Sequence, residues 1–561
     1  MKSPVHLHIL LSLGVFLLAP CPVMAEWPSD PAMNLAIADR LGEQIVPLIC
    51  ATPDGGCYVS WFDDADGGYD VYLQRLDPQG NELWTHNGIL VADRSFSYTQ
   101  HYGLDVDAEG NALLVFRDDR FGGQQATAAM VSPDGELVWG ANGVQLNDPT
   151  VITESPMIAA TSDAHVVVGW TINHDDYNDV WLQRLDATGT PQWPSDVVLT
   201  PAAGSYRLVD IHASDNGSVI VLLVKEGPDY WDPRHLHVQK ISSTGTQLWG
   251  TTPLVLFDNG TLTMGYFPKF VPDGSGGAVF GWNRIDPTGD AYAQHILADG
   301  TELFGHNGAV ASTMVLRSHL EPSVSYCPDT GDTFLVWIEY YVEDFISYYA
   351  VYAQRFDAAG TRQWGDEGLA VTPLTETEVL QVRNVRLADD AMFFWDETVA
   401  VNTQHLRAAR LNNEGTFVWE PSPIITFSSV NSRKEHLDVA PGAQPEALLV
   451  WMDNRNDFSD IYGQNVWEDG SLGSASGGCG DEEAGDCCEP NYTPACSDLE
   501  CCEAVCSYMP YCCGEEGWDD FCAQAAWDDP NCNCGGGGCG DPMAGDCCVP
   551  NGTPYCSDAE C

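Results

Sequence analysis

Apolar positions along this chain come in short runs of period two, broken every few residues by Gly, Pro, Asp and Asn. In the first clear unit an apolar run covers 44–51, Pro53-Asp54-Gly55-Gly56 makes a turn, a second run covers 57–62, residues 70–77 alternate, and a last segment covers 82–91. Such alternation between turn residues predicts four antiparallel strands. The quartet then repeats. Its third turn carries Gly80, Gly135, Gly189, Gly245, Gly300, Gly360, Gly415 and Gly470, at spacings of 55, 54, 56, 55, 60, 55 and 55. An aromatic follows four positions later at Trp84, Trp139, Trp193, Trp249, Phe304, Trp364 and Trp419, and the second strand carries Trp61, Phe116, Trp170, Trp282, Trp337, Trp395 or Trp451. One ring at a fixed place per unit is expected to be core, because buried aromatics dominate packing energetics. Four short strands per unit predict an all-β fold, an eight-bladed β-propeller of four-stranded blades over residues 26–473, with seven blades as the alternative.

Ring closure is also written in the pattern. The eighth unit has strands around 436–439, 447–451 and 460–467 and its glycine Gly470, but Ser474 stands where the other units have an aromatic. The missing piece lies at the other end, where Trp27 precedes Asn34-Leu35-Ala36-Ile37 much as Trp84 precedes Asn87-Gly88-Ile89-Leu90. The N-terminal segment is therefore expected to be the outer strand of the last blade, closing the ring and hiding the sheet edges.

Asp70-Val71-Tyr72-Leu73-Gln74-Arg75, Asp179-Val180-Trp181-Leu182-Gln183-Arg184 and Ala350-Val351-Tyr352-Ala353-Gln354-Arg355, each followed by Asp-x-x-Gly-x-x-x-Trp, resemble a repeat of secreted bacterial surface proteins. Asp453-Asn454-Arg455 in the eighth unit fits the same pattern. That resemblance implies a propeller and no particular reaction. The turn is also similar to the Asp-box hairpins of sialidases, with a different spacing; such turns are structural there too.

Composition narrows the setting. There are 81 Asp plus Glu against 23 Lys plus Arg among 561 residues, a formal charge of −58. So large a negative excess repels phosphate backbones and anionic lipid surfaces, so neither nucleic acid nor a membrane surface is an expected partner. Lys2, an apolar run over 9–19 and Val23-Met24-Ala25 form the layout of a signal peptide over 1–25. A retained anchor would need roughly 20 apolar residues, and this run is shorter and interrupted by Pro20 and Pro22. The expected product is secreted or held at the cell surface, with no integral membrane segment.

Cysteine usage then changes abruptly. After Cys21, only Cys50, Cys57 and Cys327 precede residue 479, and a Gly/Ser-rich linker at 474–478 leads into a dense cluster. Its first copy, 479–534, holds Cys479, Cys487, Cys488, Cys496, Cys501, Cys502, Cys506, Cys512, Cys513, Cys522, Cys532 and Cys534. An even count in an exported module is expected to form disulfides whose pairing the sequence leaves open; the rival is a zinc cluster. A second copy over 539–561 stops with five cysteines, which implies that it continues beyond Cys561 or pairs elsewhere. The module is similar to Cys-rich repeats in large exported proteins of marine bacteria such as planctomycetes.

No catalytic motif stands out: the chain lacks Gly-x-Ser-x-Gly, His-Glu-x-x-His and a phosphate loop. The loops between second and third strands are the irregular ones, at 63–69, 117–125, 171–178, 225–234, 283–290, 338–349 and 452–459. Tyr230, Trp231, Tyr340, Tyr341, Phe345, Tyr348 and Tyr349 combine aromatic rings with nearby acids there, a pairing suited to sugars or cationic groups. Asp63, Asp64 and Asp66 offer oxygen ligands for Ca²⁺, without the downstream Glu of an EF-hand; no other cofactor is implied. The expected role is a non-enzymatic binding or adhesion protein for an extracellular glycan or protein. The alternatives are an extracellular glycosidase or lyase using the central channel, and a purely structural spacer.

Overall fold

The structure, a computed structural model, describes residues 26–473 except 99, 100, 286–288 and 457, and beyond them 479, 484–491, 495–509, 512, 518–532 and 534. The expected signal peptide over 1–25, the expected linker 474–478, Cys513 and the second Cys-rich copy 539–561 lie outside the described residues.

Eight four-stranded antiparallel sheets follow one another along the chain. Blade 1 is built from Gln44–Ala51, Cys57–Asp63, Asp70–Leu76 and Ile89–Ala92, from the axis outward. The innermost strands of blades 2 to 8 are Gly103–Val106, Ile152–Thr161, Ser205–Ala213, Phe270–Pro272, Ser318–Cys327, Val382–Leu387 and Lys434–Pro441. The outermost strand of blade 8 is N-terminal: Leu35–Ala38 pairs with Asp460–Trp467, Leu35 opposite Gly463. The ring therefore closes as expected, with eight blades.

The repeated turn and its aromatic form one joint between blades. Each turn glycine has a positive φ, and a Cβ on it would meet the aromatic of the preceding blade: Trp84 at 3.2 Å from Gly135, Trp249 at 2.8 Å from Gly300, Phe304 at 2.6 Å from Gly360. Both the left-handed backbone and this contact exclude a side chain. The indole N–H then donates to the turn carbonyl two residues before that glycine, as from Trp84 to Pro133 and Trp364 to Asn413. Trp27 occupies the eighth such place, 2.8 Å from a Cβ on Gly80, with its backbone N–H bonded to the Gln79 carbonyl. The second-strand Trp61, Trp170, Trp282, Trp337, Trp395 and Trp451 are fully buried, confirming the core reading.

Two local expectations are corrected. The outer strand of blade 1 covers only 89–92, because Asn87 and Gly88 both have positive φ and turn the chain between Trp84 and the strand. Residues 338–349 are not an irregular loop: Asp332–Glu343 and Ile346–Phe356 form one hairpin, closed by Asp344 and Phe345, both at positive φ. Two consecutive left-handed residues give a type I′ turn, whose twist matches the flanking strands.

The tail carries five disulfides among the described residues, Cys479–Cys502, Cys487–Cys496, Cys488–Cys534, Cys501–Cys532 and Cys512–Cys522, and Cys506 is disulfide-bonded as well. Thiolates tied up in disulfides are unavailable to zinc. Two helices, Leu499–Tyr508 and Asp520–Asp528, start at Asp498 and Asp519, whose carboxylates cap backbone N–H groups. Buried Trp518 donates to the Cys487 carbonyl at 2.9 Å. Among the described residues no helix is long and apolar enough to cross a membrane.

Candidate functional site

Antiparallel blades give the ring two unlike faces. Turns joining the first strand to the second and the third to the fourth lie on one, the turn face. Links from the second strand to the third, and from each blade to the next, lie on the other, the loop face. On the turn side the exposed apolar residues are single ones just before the repeated aromatic, such as Leu83, Val138 and Leu248. On the loop face they are larger and more numerous, with Tyr230, Trp231, Met264, Val315, Leu316, Phe345 and Val401 among them.

Tyr230 and Trp231 sit together at the tip of a blade 4 link, 72% and 79% exposed. Their turn is braced: the Asp232 N–H donates to the Asp229 carbonyl and the Asp229 N–H to the Asp232 carboxylate, each at 3.0 Å. The Arg234 guanidinium donates to the Tyr230 carbonyl at 3.2 Å and lies 5.8 Å from its ring centre. Two rings are thus presented to solvent on a backbone that is already fixed.

The blade 6 tyrosines do not converge in the same way. Tyr340 pairs with Tyr349 and Tyr341 with Tyr348 across the hairpin, at ring distances of 5.2 and 6.3 Å. Alternation along a strand puts the two pairs on opposite faces. Phe345 stands fully exposed at the tip. Asp63, Asp64 and Asp66 are each engaged by protein partners, with Arg40 facing both Asp63 and Asp66. Buried Asp63 accepts from the Ala65 N–H at 3.0 Å, Asp64 from the Glu43 N–H at 2.6 Å, and Asp66 from Arg40 at 2.7 Å. Among the described residues, His, Cys, Asp and Glu ligand atoms cluster within 4.8 Å in three places, none of which includes these aspartates. Two consist of disulfide-bonded cysteines, and in the third, Cys327 with Asp329 and Asp389, the Arg386 guanidinium lies 3.6 Å from the sulfur.

The channel holds chemistry that the sequence reading missed. Every blade contributes an ionisable side chain on or beside its innermost strand: Cys50, Asp105, Glu154, Asp210, Lys269, Glu321, Arg383 and Asp438, with His101, His212 and His436 among them. A segment before blade 5 reaches inward. Lys269 bonds Asp438 of blade 8 at 3.1 Å, and Phe267 packs on His101 beside blade 2 with ring centres 4.2 Å apart. The Asp105 carboxylate accepts from the Ala160 N–H of the next blade at 2.8 Å, and Asp438 from the Ile49 N–H of blade 1 at 3.3 Å. Asp210 faces His212 instead, at 3.2 Å.

These environments push the groups apart. Burial raises the Asp105 and Glu321 carboxyls and the Cys50 thiol, the last also beside Asp105 and Asp438. Burial lowers His101 and His436, helped by Lys269 at the first and Arg383 at the second. Burial would lower His212 as well, but Asp210 and Asp105 outweigh it and hold the imidazole above its ordinary value.

A signal for these positions exists in the chain. An Asp between aliphatics recurs on three inner strands, Leu104-Asp105-Val106, Val209-Asp210-Ile211 and Leu437-Asp438-Val439, where an outer or two-sided strand would have no use for it. Several inner strands also bulge, with Val46, Ser155, Glu321 and His436 at positive φ. Pro47, Pro156 and Pro322 follow three of these, fitting a break where no ladder N–H is required.

No protein-family model and no curated protein matches the sequence. Solved structures resemble the chain distantly. The Dos1 propeller aligns over 78% of this chain and 95% of its own at 11% identity, TM-score 0.42. The polysaccharide lyase Uly1 aligns over 80% and 94% at 10% identity, TM-score 0.37. An α-L-arabinanase of Penicillium chrysogenum aligns over 77% and 97% at 10% identity, TM-score 0.33. At this distance the likeness assigns neither activity nor ligand.

Proposed function

We propose that this is a secreted or surface-held glycan-binding protein whose propeller presents its loop face to the ligand. The observation that carries the reading is the Tyr230–Trp231 pair, two rings left in water on a braced turn. Exposing a large ring forgoes about 1.5–3 kcal/mol of burial, and fixing it beforehand lowers the entropy lost when a flat sugar face covers it. The disulfide-bonded tail fits an oxidising exterior. A glycan array followed by calorimetry on Trp231→Ala tests this: binding in the wild type and about tenfold weaker binding in the variant are expected, since a lost stacking contact is worth roughly 1–1.5 kcal/mol. A full array without a hit would overturn it.

A second reading, a channel enzyme acting on extracellular polysaccharide, is favoured by one observation. Imidazoles lowered at His101 and His436 belong to the same ring of inner strands as carboxyls raised at Glu321 and Asp105, and such divergence is what acid–base chemistry uses. A hydrolase and lyase panel separates the two, because turnover abolished by Glu321→Gln with the fold intact would establish catalysis.

A further inference from the structure

On the loop face of blade 5 lies a recess of about 530 Å³, inside the roughly 300–1,000 Å³ range of small-ligand sites. Its walls include Asn259, Arg284, Asp290, Tyr292, Asn307 and Met314. The Arg284 guanidinium lies 5.6 Å from the Tyr292 ring centre and bonds Asp290 through Nε at 3.0 Å and Nη2 at 2.6 Å. The pair is neutral overall, and with Nε and Nη2 on Asp290 and Nη1 on the Asn259 carbonyl, the guanidinium keeps one further N–H on each terminal nitrogen. Asn307 spends its Oδ1 on the Asp258 and Asn259 N–H groups, and among the described residues its Nδ2 and the whole Asn259 side-chain amide make no hydrogen bond. His306, also in the wall, is held between Glu302 and Asp258. Vicinal sugar hydroxyls suit this mixture, rich in donors and acceptors with an aromatic and a thioether wall.

The recess adjoins the blade 4 platform through consecutive hydrogen bonds. The Arg234 N–H donates to Thr261 Oγ1 at 2.9 Å, and the Leu262 N–H to the Arg234 carbonyl at 3.1 Å. The Ile285 N–H donates to the Thr261 carbonyl at 3.0 Å, and Arg284 to the Asn259 carbonyl at 3.2 Å. The ridge 259–262 therefore joins the base of the Tyr230–Trp231 link, at Arg234, to the wall of the recess.

We infer that the blade 5 recess is a second saccharide subsite, taking a neutral sugar unit of the same oligosaccharide whose neighbouring unit stacks on Tyr230 and Trp231. This rests on the glycan-binding reading above. A chain long enough to cross the ridge gains contacts at both places, so affinity rises with length.

The test is calorimetry of the full chain with cello-, xylo- and manno-oligosaccharides from disaccharide to hexasaccharide, comparing wild type, Trp231→Ala, Asn259→Ala and Met314→Trp. Asn259→Ala removes a side chain without internal hydrogen bonds, so its fold is expected to stand, as an unchanged Tm would show. Met314→Trp fills the recess. Both are expected to weaken the longest chains about fivefold to tenfold, the size of a lost hydrogen bond or two, and to leave the disaccharide unaffected. Trp231→Ala is expected to weaken every length. If Asn259→Ala and Met314→Trp bind long chains like the wild type while Trp231→Ala does not, the subsite is overturned and the platform stands. If the wild type binds none of these chains, the neutral-sugar subsite is overturned, and the separate array decides whether any glycan binds.

Discussion

The two faces of this ring are made by the same eight repeats and differ in nearly everything else. The turn face repeats itself: a left-handed glycine with an aromatic from the neighbouring blade pressed onto it in all eight units, and in six of them an indole N–H capping a turn carbonyl. The loop face varies from a braced aromatic turn in blade 4 to an extended hairpin in blade 6. The contrast separates two demands. Positions fixed by backbone conformation and inter-blade contact recur in every unit, because each joint has the same geometry to satisfy. Positions that only meet solvent or a ligand are released from that requirement.

The sharpest way to break the contrast is at the joint that closes the ring. Deleting 27–37 removes Trp27 and most of the outer strand of blade 8, and no folded protein is expected; a cooperative melt at the wild-type temperature would refute the closure. Gly360→Val should come next. It adds a β-branched side chain at φ +78° and 2.6 Å from Phe304, and strain with overpacking predicts a loss of about 3–5 kcal/mol in chemical denaturation.

A smaller effect is expected where His86 bridges blades 8 and 1. Its ring nitrogens lie 3.0 Å from Glu82 and 2.9 Å from Asp39, and hydrogen bonds to these carboxylates raise it to about 9. A raised histidine stabilises the fold fully below its unfolded value of about 6.5, and that contribution fades as pH climbs through about 9. Partial exposure keeps the contribution small. His86→Gln should lower Tm slightly at pH 6 and by nothing measurable at pH 10, so a Tm difference independent of pH would count against the bridge. The smallest change belongs to the loop face. Trp231→Ala and Phe345→Ser are expected to stay within about 0.5 kcal/mol of wild type in denaturant melts, because both rings already face water.

What could be read from the chain follows the same division. Blade number, closing strand and buried tryptophans were legible because each is enforced eightfold, so one noisy unit such as blade 4, with Leu222 where others have an aromatic, did not hide them. The blade 6 hairpin was not, since a type I′ turn at Asp344-Phe345 lacks the glycine that usually announces one. The channel was less legible still. Asp105, Asp210 and Asp438 come to lie on the inner strands of one ring only because the chain curls, and no local rule brings residues more than a hundred positions apart onto one axis. The helices of the tail escaped because the cysteines there override periodicity.

The pairing of Leu35 with Gly463 has a consequence for how the protein comes into being. The two partners stand 428 positions apart, 463 − 35, so the bond that makes the ring a ring forms across nearly the whole propeller. Loop-closure entropy grows only slowly with such length, but contacts this distant set folding on a slow course. Until they form, blade 8 has an unpaired outer edge and the N-terminal strand has no sheet. Both are sticky to other chains. A propeller closed this way is most vulnerable to aggregation at the last moment of its assembly, and its strong negative charge keeps unfinished copies apart during that wait.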